Sequence, residues 1–222
     1  MSLKEKLDAF RADVESGTRI PSSVVEKLHK STEELVASGQ AERAKKVGDR
    51  APTFALEDTD GQTINLADLL ANGPVVLTFY RGVWCPYCNM ELQALEEARS
   101  DIEARGARLV AISMQTAANS RKSIRQNELG FPILIDPHGA VADAYGLRFA
   151  LPDYLIDVYK TVFKNDLAVI NDDPSWTLPM PARYVIDQNC VIAYAEVNPD
   201  YTCRPEPAEL LPVLDRLGTP IA

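Results

Sequence analysis

The chain has 222 residues, of which 46% are hydrophobic and 25% are charged, with a formal net charge of −9. These proportions indicate a globular protein with enough apolar material for a core, arranged as one large domain or one domain with an extension. The negative charge, without a cluster of Lys or Arg, argues against partners such as nucleic acid or an anionic membrane. The polar start MSLKEK lacks the apolar centre of a signal peptide, and no apolar run is long enough to span a membrane, so we expect a cytoplasmic protein.

Residues 1–46 are predicted to form a separate helical extension. Two Ser-x-x-Glu patterns, at Ser2 and Ser23, have the form of a capping box, and apolar residues follow each one at helical spacing. The apolar stripe is narrow, so we expect these helices to dock onto the main domain or onto a second subunit. The second alternative would give a homodimer.

Residues 47–222 are predicted to form an α/β domain with a thioredoxin fold: a mixed central sheet flanked by helices, with an antiparallel edge. A strand, a helix and a second strand make a βαβ unit, which implies parallel pairing. The predicted elements are two short strands within 52–66, a strand at 74–80, a helix at 86–105, a strand at 108–113, a helix at 117–128, a strand and turn at 131–139, a helix at 140–145, a hairpin at 182–197 and a helix at 207–217. The irregular stretch 148–178 is interpreted as an insertion that covers a site.

Two cysteines lie at the turn between the strand at 74–80 and the following helix, in FYRGVWCPYCNMELQAL. Pro86 suits the first helical position, because its missing N–H would be unpaired there. If Cys85 is the N-cap, the N–H groups and positive end of the helix lower its pKa and favour the thiolate. Cys88, one turn further on, lies within disulfide reach. This placement predicts one activated sulfur and one partner that resolves a mixed disulfide or a sulfenic acid.

Two other roles for the pair are less favoured. A zinc site would need two more ligands at matching spacing, but a second CxxC is absent and Cys190 and Cys203 stand apart. Two inert, packed cysteines conflict with a turn position, where we expect exposure rather than burial. The sequence therefore favours redox chemistry by the pair, without a metal or another cofactor.

Several segments between residue 47 and the C-terminus are similar to the peroxiredoxin-like branch of the alkyl hydroperoxide reductase / thiol-specific antioxidant family. They are VGDRAPTFALEDTDGQTINLADLL, VVLTFYRGVWCPYCNMELQAL, LVAIS, FPILIDPHGAVADAYGL, LPMPARYVID and NPDYTCRPEP. RGVWCPYCNMEL and DYTCRPEP are the most specific of these. The resemblance implies a thioredoxin fold and thiol-dependent redox activity, with Cys85 as the cysteine that attacks the substrate.

The sequence departs from the peroxiredoxin pattern at two positions. Gly82 stands where these proteins have a Thr or Ser, and Pro181 stands where they have an Arg. A proline at that place is typical of thioredoxins, where it is cis and presents backbone to a substrate thiol. Arg81 or Arg204 is a candidate to replace the absent arginine, since a guanidinium near the sulfur stabilises a thiolate. Trp84 is predicted to form an apolar wall that contacts the substrate.

Three functions stay open at this point. The first is a thiol peroxidase, in which Cys85 attacks a hydroperoxide, Cys88 forms the disulfide, and a thioredoxin- or glutathione-type donor reduces it. In the second, the same cysteines reduce disulfides of other proteins, and Pro181 presents the target. In the third, the pair senses oxidants, and the N-terminal helices carry the signal to a partner.

Overall fold

A computed structural model describes residues 1–218 as a mixed α/β protein. The strands are β1 (Ala55–Glu57), β2 (Thr63–Asn65), β3 (Val75–Phe79), β4 (Arg108–Ser113), β5 (Ile133–Ile135), β6 (Arg148–Ala150), β7 (Thr177–Pro179), β8 (Ala182–Ile186) and β9 (Ile192–Val197). Within the described residues, seven strands form one sheet in the order β2-β1-β5-β4-β3-β8-β9, and β6 pairs with β7 separately. β3, β4 and β5 are parallel, whereas β8 runs antiparallel to β3 and β9. This confirms the predicted mixed central sheet.

Helices cover both faces of the sheet. They are α1 (Leu3–Glu15), α2 (Ser22–Ala37), α3 (Leu66–Leu70), α4 (Pro86–Glu97), α5 (Arg99–Glu103), α6 (Ala117–Asn127), α7 (Ala140–Ala144), α8 (Asp153–Thr161), α9 (Leu167–Asn171) and α10 (Leu211–Gly218). The single helix predicted at 86–105 is two helices, because the chain leaves helical geometry at Ala98, with φ −90° and ψ −4°. No helix within residues 1–218 combines the length and apolar character needed to cross a bilayer.

Strand β3 is buried along its whole length and points its side chains into two separate cores. Successive residues of a strand face opposite sides of the sheet. Leu77 and Phe79 accordingly join the core on one side. Val76 and Tyr80 join the other, together with Leu92 of α4. This packing fixes the end of β3, and therefore the loop at 80–85, relative to the start of α4.

The two N-terminal helices pack against the rest of the same chain. Leu3 and Leu7 of α1 are buried in the core that contains α4, and Leu28 of α2 packs with Leu155 and Val158 of α8. Together with α8, which belongs to the predicted insertion, they cover the end of β3. The apolar faces of α1 and α2 thus dock onto the main domain of the same chain, which is the first of the two predicted alternatives.

The capping prediction is confirmed for the first helix and wrong for the second. Ser2 caps α1 in a complete capping box with Glu5. Helix α2, however, already begins at Ser22, with Pro21 as its N-cap and without a side-chain capping hydrogen bond among the described residues. Ser23 therefore lies inside the helix, where its hydroxyl cannot serve as an N-cap.

Candidate active site

The cysteine pair lies where β3 passes into α4, as the sequence predicts. Cys85 is the N-cap of α4, Pro86 takes the first helical position, and Cys88 lies one turn further on. The two sulfur atoms are 2.8 Å apart, and both thiols are free. Cys85 is 2% exposed and Cys88 is 0% exposed. The expectation that the turn keeps these sulfurs exposed is wrong, because the N-terminal helices and α8 cover it.

Cationic groups favour a negative charge at Cys88. Arg204 Nη2 lies 3.5 Å from Cys88 Sγ, and the backbone N–H of Arg81 donates to the same sulfur. Burial raises the pKa of Cys88, but the hydrogen bond with Cys85 and the two guanidinium groups outweigh burial and lower this pKa to about 6. Burial, followed by the hydrogen bond and charge of Cys88, raises the pKa of Cys85.

The prediction that the start of α4 lowers the pKa of Cys85 is therefore wrong. Among the described residues, the Cys85 side chain makes no capping hydrogen bond with the helix. Arg204 and the Arg81 backbone instead contact the neighbouring sulfur. Since the sulfurs are 2.8 Å apart, one proton shared between them can move the negative charge from one cysteine to the other.

A buried carboxylate, which the sequence analysis missed, holds Arg204 in place. Glu91 accepts from Arg204 Nε at 2.5 Å and from Arg183 Nη2 at 2.8 Å, and the three side chains are at most 3% exposed. Arg204 Nη1 also donates to the backbone carbonyls of Tyr201 and Cys203. Charge-assisted hydrogen bonds of this kind fix both the position and the orientation of a guanidinium.

One sequence signal could have indicated Glu91. It follows Cys88 by three residues on α4, so the two side chains lie on the same face of the helix. Its arginine partners come from β8 and from the loop after β9, 92 and 113 residues further along the chain. These separations are too long for a local sequence pattern to link either arginine to Glu91. The contacts form only in the folded chain.

Arg81 lies on the other side of the pair, and its guanidinium is surrounded by aromatic rings. Its carbon Cζ is 4.9 Å from the ring centroid of Trp84 and 4.1 Å from that of Tyr201. One of its amino groups donates to the Tyr159 hydroxyl. Arg81 is 3% exposed, and a guanidinium keeps its charge even when buried. The aromatic faces and the phenol oxygen therefore hold a permanent cation beside Cys85.

A cavity of about 380 Å³ opens over Cys85. It lies between α1, α2, α8 and the start of α4, and its walls are mainly aromatic and aliphatic. The residues that line it are Phe10, Val14, Arg19, Ile20, Leu28, Arg81, Trp84, Cys85, Pro86, Tyr87, Tyr159, Phe163, Asn165 and Tyr201. The structure thus brings three of the predicted site residues, Arg81, Trp84 and Cys85, into one cavity, and Cys88 lies directly behind Cys85.

Pro181, the remaining predicted site residue, lies beside this cavity. It lines a smaller cleft with Arg81, Tyr159 and Tyr201. All peptide bonds in residues 1–218 are trans, so the expected cis geometry at Pro181 is wrong. Its carbonyl accepts from the backbone N–H of Asn198 at 3.3 Å, which ties the start of β8 to the end of β9.

The other two cysteines are separate from the pair. The Cys190 thiol donates to the Ala51 carbonyl, and the backbone of Cys190 has a φ of 64°, as suits a turn position. Cys203 lies 3.2 Å from Arg11 Nη2. Among residues 1–218, no group of three or more His, Cys, Asp or Glu side chains is placed to hold a metal ion.

The family of the chain follows from its similarity to known proteins. A family model, described as the AhpC/TSA family, matches residues 47–195. The chain belongs to the AhpC/TSA family. A Mycobacterium tuberculosis protein provisionally named a peroxiredoxin is 34% identical to this AhpC/TSA protein over 122 residues, which are 54% of this chain and 79% of that protein.

Relatives of this AhpC/TSA protein carry two kinds of name. The thiol-disulfide oxidoreductase ResA of Halalkalibacterium halodurans is 31% identical over 120 residues, which are 54% of this chain and 67% of that protein. The matched region therefore spans about two thirds of the length of the ResA relatives. The crystal structure of Peroxidoxin BcpB from Mycobacterium tuberculosis superposes with a TM-score of 0.61 at 23% identity, covering 78% of this chain and 97% of that chain, which shows the shared fold. This AhpC/TSA protein is a thiol-dependent oxidoreductase of the peroxiredoxin or thiol-disulfide oxidoreductase type.

Proposed function

We propose that this protein is a thiol peroxidase, in which Cys85 reduces a hydroperoxide and Cys88 resolves the product. The observation that supports this most is the cavity over Cys85, which has a volume of about 380 Å³ and contains Arg81. A cavity of this size accepts a small molecule. A disulfide within a folded protein would have to reach a sulfur that is 2% exposed beneath two helices. The step that reduces the hydroperoxide needs no such access.

The first step begins with a proton shift between the two sulfurs. Cys88 carries the negative charge of the resting pair, because its pKa is about 6 and that of Cys85 is raised. In a minor state of the pair Cys88 takes the proton of Cys85, and the Cys85 thiolate then attacks one oxygen of the hydroperoxide. A sulfur–oxygen bond forms and the oxygen–oxygen bond breaks. Cys85 becomes a sulfenic acid, and the other oxygen leaves as an alcohol or water after it takes a proton. The Arg81 guanidinium supports this step by stabilising negative charge at Cys85 and at the leaving oxygen.

The second step uses the short distance between the sulfurs. Cys88, again as a thiolate, displaces the hydroxyl of the Cys85 sulfenic acid, which leaves as water after it takes a proton, and a disulfide forms. Arg204, 3.5 Å from Cys88 Sγ, favours the thiolate that this displacement requires. Two electrons from a thioredoxin- or glutathione-type thiol donor then return the pair to the dithiol form. We propose the hydroperoxide and this donor as the partners of the enzyme.

Reduction of protein disulfides is the second candidate. The CxxC spacing and the similarity to ResA proteins favour it. In that reaction Cys85 would attack a disulfide sulfur of the target, and Cys88 would then release the target's reduced thiol. The helices α1 and α2 would have to move away from Cys85 before a protein substrate could bind.

One experiment separates the candidates. Hydrogen peroxide consumption and reduction of insulin disulfides are measured side by side for the wild type, Cys85→Ser and Cys88→Ser, with Cys190→Ser as the control. We expect the wild type and Cys190→Ser to consume peroxide, and Cys85→Ser to consume none. Cys88→Ser should consume one equivalent and stop at a sulfenic acid that dimedone traps.

Three other outcomes would contradict the peroxidase. Insulin reduction with negligible peroxide consumption would assign the protein to the disulfide reductases. An oxidant-dependent change in oligomeric state without turnover of either substrate would indicate a sensor. Peroxide consumption that survives Cys85→Ser would show that another group reacts.

A further inference from the structure

The indole nitrogen of Trp84 occupies the space beside Gly82. A Cβ atom at residue 82 would lie 2.5 Å from Trp84 Nε1, which is closer than packed atoms approach. Gly82 also has a φ of 150°, a backbone conformation that L-residues rarely adopt. The indole N–H therefore lies where the side chain of any other residue at position 82 would begin. This is the position at which the resemblance to peroxiredoxins leads us to expect a hydroxyl.

Two buried N–H groups of the loop at 80–85 have no acceptor among the residues that the structure describes. Within residues 1–218, neither Trp84 Nε1 nor Arg81 Nε has a hydrogen-bond partner, although both atoms are buried. Both side chains line the cavity that contains Cys85. An unpaired buried donor is costly, so most such groups in folded proteins have a partner. Two such donors on side chains that line one cavity point to a ligand that supplies the acceptor.

We propose that Trp84 Nε1 and Arg81 Nε donate hydrogen bonds to the oxygen atoms of the hydroperoxide, and that Trp84 takes the place of the hydroxyl absent at residue 82. The proposal rests on the peroxidase function proposed above. Trp84 is then a polar contact to the substrate as well as the apolar wall that the sequence predicts. The indole N–H of Trp84 fits beside residue 82 only because glycine has no Cβ atom there.

The chemistry of the first step explains why such donors matter. As the Cys85 sulfur bonds to one oxygen, the oxygen–oxygen bond breaks and negative charge develops on the other oxygen. Donors held at that oxygen stabilise the charge where it forms. Removal of one such donor from an active site typically slows the chemical step by two to three orders of magnitude when a full negative charge develops. We expect a smaller effect here, about 10- to 100-fold, because the guanidinium stays in place.

The test replaces the indole N–H and leaves the ring. Trp84 is changed to Phe and, in a second variant, to 3-benzothienylalanine, in which sulfur replaces the N–H group. Trp176→Phe is the matched control for loss of a buried tryptophan. The rate of Cys85 oxidation is measured in single turnover with hydrogen peroxide. The same proteins react with dimethyl disulfide, which tests the thiolate with an electrophile that has no oxygen to accept these hydrogen bonds.

We expect both Trp84 variants to react with hydrogen peroxide about 10- to 100-fold more slowly than the wild type and Trp176→Phe. Their rates with dimethyl disulfide should stay within about twofold. Equal peroxide rates in the wild type and the benzothienylalanine protein would overturn the proposal. Equal slowing with both reagents would also overturn it, because the thiolate rather than the donor would then be affected. A wild type that reacts with dimethyl disulfide but not with peroxide would instead contradict the peroxidase function.

Discussion

The two arginines beside the cysteine pair are held in different ways. Every nitrogen of Arg204 has a partner: Nε binds Glu91, Nη1 binds two backbone carbonyls, and Nη2 lies against Cys88. Arg81 stacks against the rings of Trp84 and Tyr201, and its Nε has no partner within residues 1–218. A cation whose donors are all engaged acts mainly as a fixed charge. A cation with a free donor next to a cavity can also bind a ligand.

This difference divides the site into two sides. The Cys88 side, with Arg204 and Glu91, sets the charge of the thiol pair. In the proposed mechanism the Cys85 side, with Arg81 and its aromatic neighbours, receives the substrate. Substitutions on the first side should therefore change stability and titration, and substitutions on the second should change the rate with hydroperoxide.

Glu91→Gln should give the largest effect of the three substitutions, a loss of unfolding free energy that comes from the Cys88 side of the site. It removes the anion between two buried guanidinium groups, which leaves Arg183 without this counter-charge and Arg204 with the Cys88 thiolate alone. Loss of one partner of a buried ion pair typically costs about 3–5 kcal/mol of unfolding free energy. Urea unfolding measures this loss.

Glu97→Gln is the control, because Glu97 lies on the same helix in an exposed pair with Lys6. It should change the free energy of unfolding by less than about 1 kcal/mol. Equal losses in the two variants would argue against a structural role for Glu91.

Arg204→Gln should change the titration of the pair. Cys88 has a pKa of about 6, so it is protonated below that pH and ionised above it. Without the guanidinium the thiolate is less stable, so the pKa should rise, by about 1 to 3 units for a lost neighbouring charge. Thiolate absorbance at 240 nm, recorded against pH, measures the shift.

At pH 7 the ionised fraction of Cys88 should fall from about nine tenths to about one half for a shift of one unit and to about one hundredth for a shift of three units. Cys88→Ser identifies the part of the absorbance that belongs to this sulfur. Arg216→Gln, an exposed change on α10, should leave the titration unaltered. A titration midpoint near 6 in Arg204→Gln would assign the low pKa to other groups.

Tyr159→Phe should have the smallest effect and tests the Cys85 side alone. The hydroxyl that accepts from Arg81 is lost, while the ring keeps its edge-to-face contact with Trp84 at 5.2 Å. Loss of one hydrogen bond to a charged group costs about 1.5–3 kcal/mol, of which the stacking rings should recover part. We therefore expect kcat/KM for hydrogen peroxide to fall about 3- to 10-fold.

Two readouts sharpen the Tyr159→Phe experiment. The pKa of Cys88 should stay near 6, because Arg204 is untouched and Arg81 keeps its charge. Tyr154→Phe is the matched control, since Tyr154 lies on the same helix and its hydroxyl donates to the remote Glu34. A shift in the titration without a change in rate would contradict the division of the site into two sides.

Local features of the site follow directly from the sequence. The Cys-Pro-Tyr-Cys segment begins a helix after an apolar strand, with Pro86 at the first helical position, because these residues restrict the backbone within one turn. The capping box at Ser2 is confirmed for the same reason. At Pro181 the thioredoxin pattern predicts a cis bond, and the bond is trans.

Features that depend on distant residues do not follow from local patterns. Burial of the cysteines comes from α1, α2 and α8, which are separate from the turn in the chain. The low pKa at Cys88 comes from the hydrogen bond with Cys85 and from two guanidinium groups, of which Arg204 is 116 residues away. The unpaired indole N–H of Trp84 is visible only when its position over Gly82 is known.

The sequence by itself determined most strands and helices outside 148–178 and the pair of cysteines at the start of α4, because hydrophobic periodicity and turn chemistry act over a few residues. Its motifs indicated the family, whereas the strands and helices within 148–178 were predicted as an irregular stretch. Only the tertiary structure decided which sulfur is next to a fixed cation, which donors are unpaired and what covers the site. Electrostatic interactions and desolvation depend on distances through space, and groups about 100 residues apart meet only after the chain has folded.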